Sequence, residues 1–157
     1  MIINKIVKIL KTRIVMALLS SIIFYVSCWY PAFEVIMYNS SQNQIVEGGY
    51  CFVGGCLGLF YCFFCPWNII WLANPIYILS MLLFVLLDGK RGQDIALALC
   101  LCSIVMGLSF LFCTSLCTSE SGSPSDIGTL YIGYYFWILS FIILLIGMTL
   151  HRKANQL

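Results

Sequence analysis

Residues 67–117, WNIIWLANPIYILSMLLFVLLDGKRGQDIALALCLCSIVMGLSFLFCTSLC, decide how this chain is read. Two long apolar runs, about 67–87 and about 95–117, flank one short polar turn, Asp88-Gly89-Lys90-Arg91-Gly92-Gln93-Asp94. Neither run carries a charged side chain. A helix needs roughly 20 apolar residues to cross the hydrocarbon of a bilayer, and both runs reach that length. In lipid each backbone N–H must find its acceptor within its own segment, so the stretch reads as two membrane helices joined as a hairpin.

Two further runs of the same kind lie outward from this hairpin, at about 14–33 and about 128–150. Of the 157 residues, 62% are hydrophobic and only 9% charged. A soluble domain carries about 25% charge because its surface must face water. This chain lacks the polar residues to coat a globule, and the expected fold is an all-α integral membrane bundle of four transmembrane helices. Residues 1–157 form one polytopic domain, and residues 34–66 form a cap between spans one and two. The net charge of +2, with no dense basic run on a polar fold, excludes a nucleic-acid partner.

Charge distribution orients the bundle. Lys5, Lys8, Lys11 and Arg13 precede span one, Lys90 and Arg91 lie between spans two and three, and Arg152 and Lys153 follow span four. The opposite loops hold Glu34, Glu47, Glu120 and Asp126 with no cation. Cytoplasmic loops are those enriched in lysine and arginine, so both termini are expected in the cytoplasm. Trp29, Trp67, Trp71 and Trp137 fall toward the outer ends of the spans, where an amphipathic ring suits the headgroup zone. Asp94 and Asp126 are placed to cap the third and fourth helices.

Two segments need separate reading. The basic residues of 1–13 alternate with Ile3, Ile6, Val7 and Leu10, a pattern that suits a helix at the inner interface. A basic stretch before an apolar one also describes a secretory signal. Apolar residues continue past Cys28, however, and 14–33 is expected to be retained as span one. Residues 48–65, GGYCFVGGCLGLFYCFFC, are apolar but leave almost no turn before Trp67. They are expected to form a short interfacial or re-entrant helix on the outer surface.

Nine cysteines in so short a chain raise redox chemistry. Cys62-Phe63-Phe64-Cys65 has the C-x-x-C spacing that can lower a thiolate pKa. Four spans with C-x-x-C just before the second is an arrangement similar to that of the bacterial disulfide-generating quinone oxidoreductases. That resemblance implies Cys62 and Cys65 as catalytic thiols, a second cysteine pair in the second outer loop, and an arginine soon after C-x-x-C for the quinone. The sequence departs on both further points. Cys113 and Cys117 lie one turn apart at the end of span three, and no arginine follows Cys65 until Arg91. The competing readings are cysteine as a small apolar filler of helices, which the sequence favours, and structural disulfides on the outer side.

The spans hold no Asp, Glu, Lys, Arg or His that would mark a transport route, and His151 sits at the inner end of span four. Asn68, Asn74 and Pro75 are the distinctive polar features of span two. They mark a kink or a contact, since proline removes a backbone donor and asparagine can bond across helices. Small residues recur on one face of span three at Ala96, Cys100, Ser103 and Gly107, and every seven on span four at Gly133, Ser140 and Gly147. Such stripes let helices approach closely, and spans three and four are expected to pair along them.

The functional expectation is therefore a small non-catalytic protein of a bacterial inner membrane. Its partners would be the lipid bilayer and another membrane protein, met through helix contacts as an accessory subunit or an immunity-type protein. No cofactor or metal is implied. The alternatives are the thiol–quinone oxidoreductase and a small channel or transporter.

Overall fold

The computed structural model describes residues 2–36, 43–58, 66–117 and 124–156, with side chains within 12–36, 43–53, 69–115 and 125–154. The chain is mostly helical, and three helical stretches are long and apolar enough to cross a membrane: Ile69–Leu86, Lys90–Phe112 and Ile132–Ala154. A fourth apolar stretch, Thr12–Ser27, is shorter.

The first helix, α1, runs Ile2–Ser27 without interruption. The basic segment is thus continuous with the apolar stretch that follows it, in one helix. Proline fixes its own φ, offers no N–H, and pushes the residue before it out of helical geometry. Pro31 accordingly closes the span early. Three successive turn bonds follow, from Cys28 N to Tyr25 O, Trp29 N to Val26 O and Tyr30 N to Ser27 O. Strand β1 begins at Pro31 and runs to Ile36. The helix expected to run to residue 33 is corrected to end at Ser27.

Strand β2 spans Gln44–Glu47, and helix α2, Gly48–Gly58, follows directly. The expected helix over 48–65 is present over 48–58, and 59–65 lie outside the described residues. A 3₁₀ helix, Pro66–Leu72, leads into α3, Ala73–Leu86. Helix α4 spans Lys90–Ser109 and tightens into a 3₁₀ turn at Phe110–Phe112. Strands β3, Ser115–Cys117, and β4, Pro124–Leu130, precede the last helix α5, Ile132–Gln156.

Three boundary expectations are corrected by these strands and caps. Residues 115–117 leave span three for β3, and 128–130 belong to β4 rather than span four. Asp126 is a strand residue paired with Ser115 and Ile36, so it caps no helix. Helix α4 starts at Lys90 with extended Gly89 before it, which places Asp94 inside the helix, ion-paired with Arg152 across a gap of 2.5 Å.

The sequence reading contained no sheet. The structure has a four-stranded one in the order β2-β1-β4-β3, all neighbours antiparallel. Phe33 pairs with Val46 and Leu130, and Val35 with Gln44 and Ile127, with bulges on both sides of β1. Ala32, Phe33 and Val35 are buried and pack with Ile70, Phe110, Tyr134 and Ile138 from the helix ends. The sheet therefore sits as a lid on one end of the bundle, the cap end, opposite the α3–α4 turn. A second core along the helices joins Ala73, Tyr77, Phe84, Ala96, Cys100, Phe141, Leu144 and Met148. Helix α5 packs on α1 and α4, and α3 packs on α4.

Candidate functional site

Polar side chains inside the bundle meet one another at three levels. At the turn end α1 carries Arg13 against the C-terminus of α3. Its Nε donates to Phe84 O at 2.8 Å, and its Nη2 donates to Val85 O at 3.0 Å and Leu87 O at 2.9 Å. Nη1 pairs with the Asp88 carboxylate, and the guanidinium lies 5.6 Å from the Phe84 ring centre. The last carbonyls of a helix have no intrahelical donor and carry its negative dipole end, so a cation with a planar fork of donors suits them. Arg13 is only 2% exposed. His151 of α5 packs edge-on to the same Phe84 ring, 5.7 Å between centres.

At mid-bundle, Ser20 of α1 donates to Ser140 O of α5 at 2.7 Å and shares a 2.5 Å hydrogen bond with the Tyr77 hydroxyl of α3. Ser80 of α3 donates to Ala96 O of α4 at 2.7 Å. These bonds tie four helices together where water is excluded and unpaired polar groups are costly.

Nearer the cap end, Trp137 Nε1 donates to Asn74 Oδ1 at 2.7 Å, and Tyr134 donates its hydroxyl to Gly107 O at 3.1 Å. Asn74 is 3% exposed. Pro75 sits in the first turn of α3, where a missing N–H is tolerated, and the chain changes helical type just before it, at 66–72. Asn68 lies within that 3₁₀ helix; its side chain is outside the described set, as are Cys62 and Cys65 altogether.

The small-residue stripes separate in space. Ala96, Cys100, Ser103 and Gly107 are all buried on α4. Gly107 faces α5, since a Cβ there would meet Ile138 Cδ1 at 2.6 Å, and the Cys100 thiol points to Phe141 O at 3.6 Å. The stripe on α5 does not face α4. A Cβ at Gly147 would meet Met16 of α1 at 2.6 Å, Ser140 O accepts from Ser20 of α1, and Gly133 abuts the carbonyls of Tyr30 and Pro31. The expected pairing of the two stripes is thus replaced by α5 leaning its small residues on α1, while α4 offers its own to α5 and α3.

Between the cap and the helix ends lies a cavity. Trp71, Asn74 and Trp137 line it from the helices, Phe33 from the sheet, and Cys28 and Cys51 from the two ends of the first loop. About 410 Å³ of space lies between these atoms, part of it open to the surroundings, but the centre of a water molecule can reach only about 30 Å³. That suffices for roughly two waters and falls well short of a bound ring system. Burial pushes the Cys51 thiol up to about 12, and a negative charge on nearby Cys28 would push the same way. Burial raises the Cys28 and Cys113 thiols too, against small opposing hydrogen bonds. At neutral pH these are protonated thiols, slow as nucleophiles.

No family model, curated protein or solved structure matches the chain.

Sequence reasoning missed Arg13 as a buried clamp and the meeting of Cys28 with Cys51. Arg13 had one signal. It is the sole arginine of the N-terminal basic group, directly before Ile14, where the first long charge-free run begins. The cysteine meeting had none, because it depends on α2 folding back over the end of α1.

Proposed function

We propose that this is a small non-catalytic protein of a bacterial inner membrane that crosses the bilayer four times, keeps both termini in the cytoplasm, and acts by contact with another membrane protein. One observation carries the reading: polar side chains at three levels of the bundle bond to one another and to neighbouring backbone, as in Arg13–Phe84, Ser20–Tyr77–Ser140, Ser80–Ala96 and Trp137–Asn74. What the bundle offers its surroundings is an apolar exterior, with Leu18 and Ile22 on α1 and Leu101 and Val105 on α4 all exposed. A body with its polar interactions closed inward is suited to be recognised by shape. The stripes of Ala96, Cys100, Ser103 and Gly107, and of Ser140 and Gly147, are already occupied by neighbouring helices, so the partner would meet the larger apolar residues on the exposed faces. The unequal distribution of the eight cations supports the assigned orientation.

Photo-crosslinking side chains placed singly at Leu18, Ile22, Leu101 and Val105 in living cells test this. The expected result is a covalent adduct to one and the same membrane protein from positions a turn apart on one helix, lost when a neighbouring exposed residue becomes charged. Lipid adducts alone at all four positions, or solute flux through the purified protein in liposomes, would refute the proposal. A tag at either terminus is expected to stay shielded from external protease.

A further inference from the structure

Two thiols from opposite ends of the first loop meet at the cavity under the cap. Cys28 is the first residue beyond α1, and Cys51 lies in the first turn of α2. The approach of these elements is fixed by backbone. Gly49 N donates to Cys28 O at 2.7 Å and Gly48 N to Tyr30 O at 3.0 Å. A Cβ at Gly48 would stand 3.1 Å from Cys28 Cα and 2.2 Å from Ser27 O, so only glycine permits this contact. Residues three apart on a helix share a face. Cys51, three after Gly48, therefore lies one turn farther along the face that is pressed on Cys28. Both thiols line the same cavity, both are partly buried, and neither is bonded to another sulfur.

We propose that Cys28 and Cys51 are a disulfide-forming pair that staples the cap to the end of α1. The Cys28 thiol makes a weak 3.5 Å contact to Phe24 O and a hydrogen bond with the Ser27 side chain, and rotation about its χ1 gives these up. The oxidant is a protein disulfide of the compartment the cap faces. Cys28, as thiolate, attacks one sulfur of that disulfide; an S–S bond to Cys28 forms and the donor's own S–S bond breaks, freeing one donor thiolate. Cys51, as thiolate, then attacks the Cys28 sulfur and the second donor thiolate leaves. Two electrons pass to the donor, and the protons lost by Cys28 and Cys51 end on its two thiols. Cys28 is the first attacker because Cys51, held up near 12, yields its proton less readily. The bond would close the loop that carries β1 and β2, and so hold the sheet over the cavity whatever the remaining contacts do.

The inference goes beyond the contact function and stands or falls without it, because the pairing is read on the purified chain. The full-length protein is isolated with N-ethylmaleimide present, digested without reduction, and its peptides mapped by mass. A peptide pair joined through Cys28 and Cys51, lighter than the two free peptides by two hydrogens, is the expected product. If the thiols are isolated reduced, oxidised glutathione is expected to produce the same pair, with alkylation lost at both positions together. Cys51→Ser is expected to leave Cys28 either alkylated or held as a mixed disulfide with the oxidant, never joined within the chain, and Cys28→Ser to leave Cys51 alkylated. Two outcomes overturn the proposal: both thiols alkylated after oxidised glutathione, or Cys51 joined to a cysteine other than Cys28. The mapping on the unaltered chain decides the matter even if either variant does not fold.

Discussion

Replacing Arg13 by methionine keeps an unbranched apolar stem and removes the fork of donors. Val85 O then loses its side-chain donor at the end of α3, while Phe84 O and Leu87 O are left with Gln93 Nε2 alone. Each buried carbonyl left without a donor costs about 1–3 kcal/mol. The lower figure applies here, because Asp88 beside them is 90% exposed, so water reaches the site. One orphaned and two weakened carbonyls give a cost of about 2–3 kcal/mol, at or just below the roughly 3–5 kcal/mol for breaking a buried charge pair. Arg13→Lys retains the charge but reaches fewer carbonyls and is expected to cost about 1–2 kcal/mol. Asp88→Asn is expected to cost under about 1 kcal/mol, because an ion pair with so exposed a partner is screened. The protein in mixed micelles, unfolded reversibly with a denaturing detergent and followed by circular dichroism, reports the order. An Arg13→Met variant within about 1 kcal/mol of the parent would show that neither the helix-end bonds nor the ion pair contributes, and a more damaging Asp88→Asn would put the energy in the ion pair; either result refutes the assignment.

Glycine substitutions separate close approach from open space: Gly133→Ala would set a Cβ 2.5 Å from Pro31 O, and a loss of at least about 2 kcal/mol is expected, whereas Gly89→Ala meets nothing within 4 Å and is expected to be neutral in the same assay. Asn74→Leu removes the 2.7 Å bond from Trp137; a cost of about 1 kcal/mol is expected, with a shift in tryptophan emission. In the reduced protein, Cys51 alkylation is expected to keep accelerating with pH beyond about 9 instead of levelling there, because its thiol is held up to about 12. The same displacement means the folded state keeps a proton that the unfolded state releases, so Cys51 stabilises the fold below its ordinary value of 9.0 and that contribution declines as pH rises above it. A chemical unfolding series from neutral to alkaline pH, compared with Cys51→Ala, reads the difference.

The apolar runs at 67–87 and 95–117 and the short charged turn between them were legible from residues alone, because lipid imposes a length and a composition on whatever crosses it. The burial of Ala96, Cys100, Ser103 and Gly107 was legible for a related reason: a helical period places small residues on one face wherever backbones must come close. Which helix each stripe meets was not legible. Gly147 and Ser140 turn to α1, a choice made by how the whole bundle closes. The sheet was hidden because β1 and β4 are short and pair across more than ninety residues, with the apolar stretch about 14–33 appearing continuous through the end of α1 into β1. Strand pairing leaves little local trace, since its hydrogen bonds are supplied by a distant segment. Sequence by itself thus determined that the helices are apolar enough for lipid and where their cations fall. Only tertiary structure decided that Arg13 reaches the end of α3, that Asn74 receives Trp137, and that Cys28 and Cys51 share one cavity, because each of these depends on segments far apart along the chain being brought within a few ångströms.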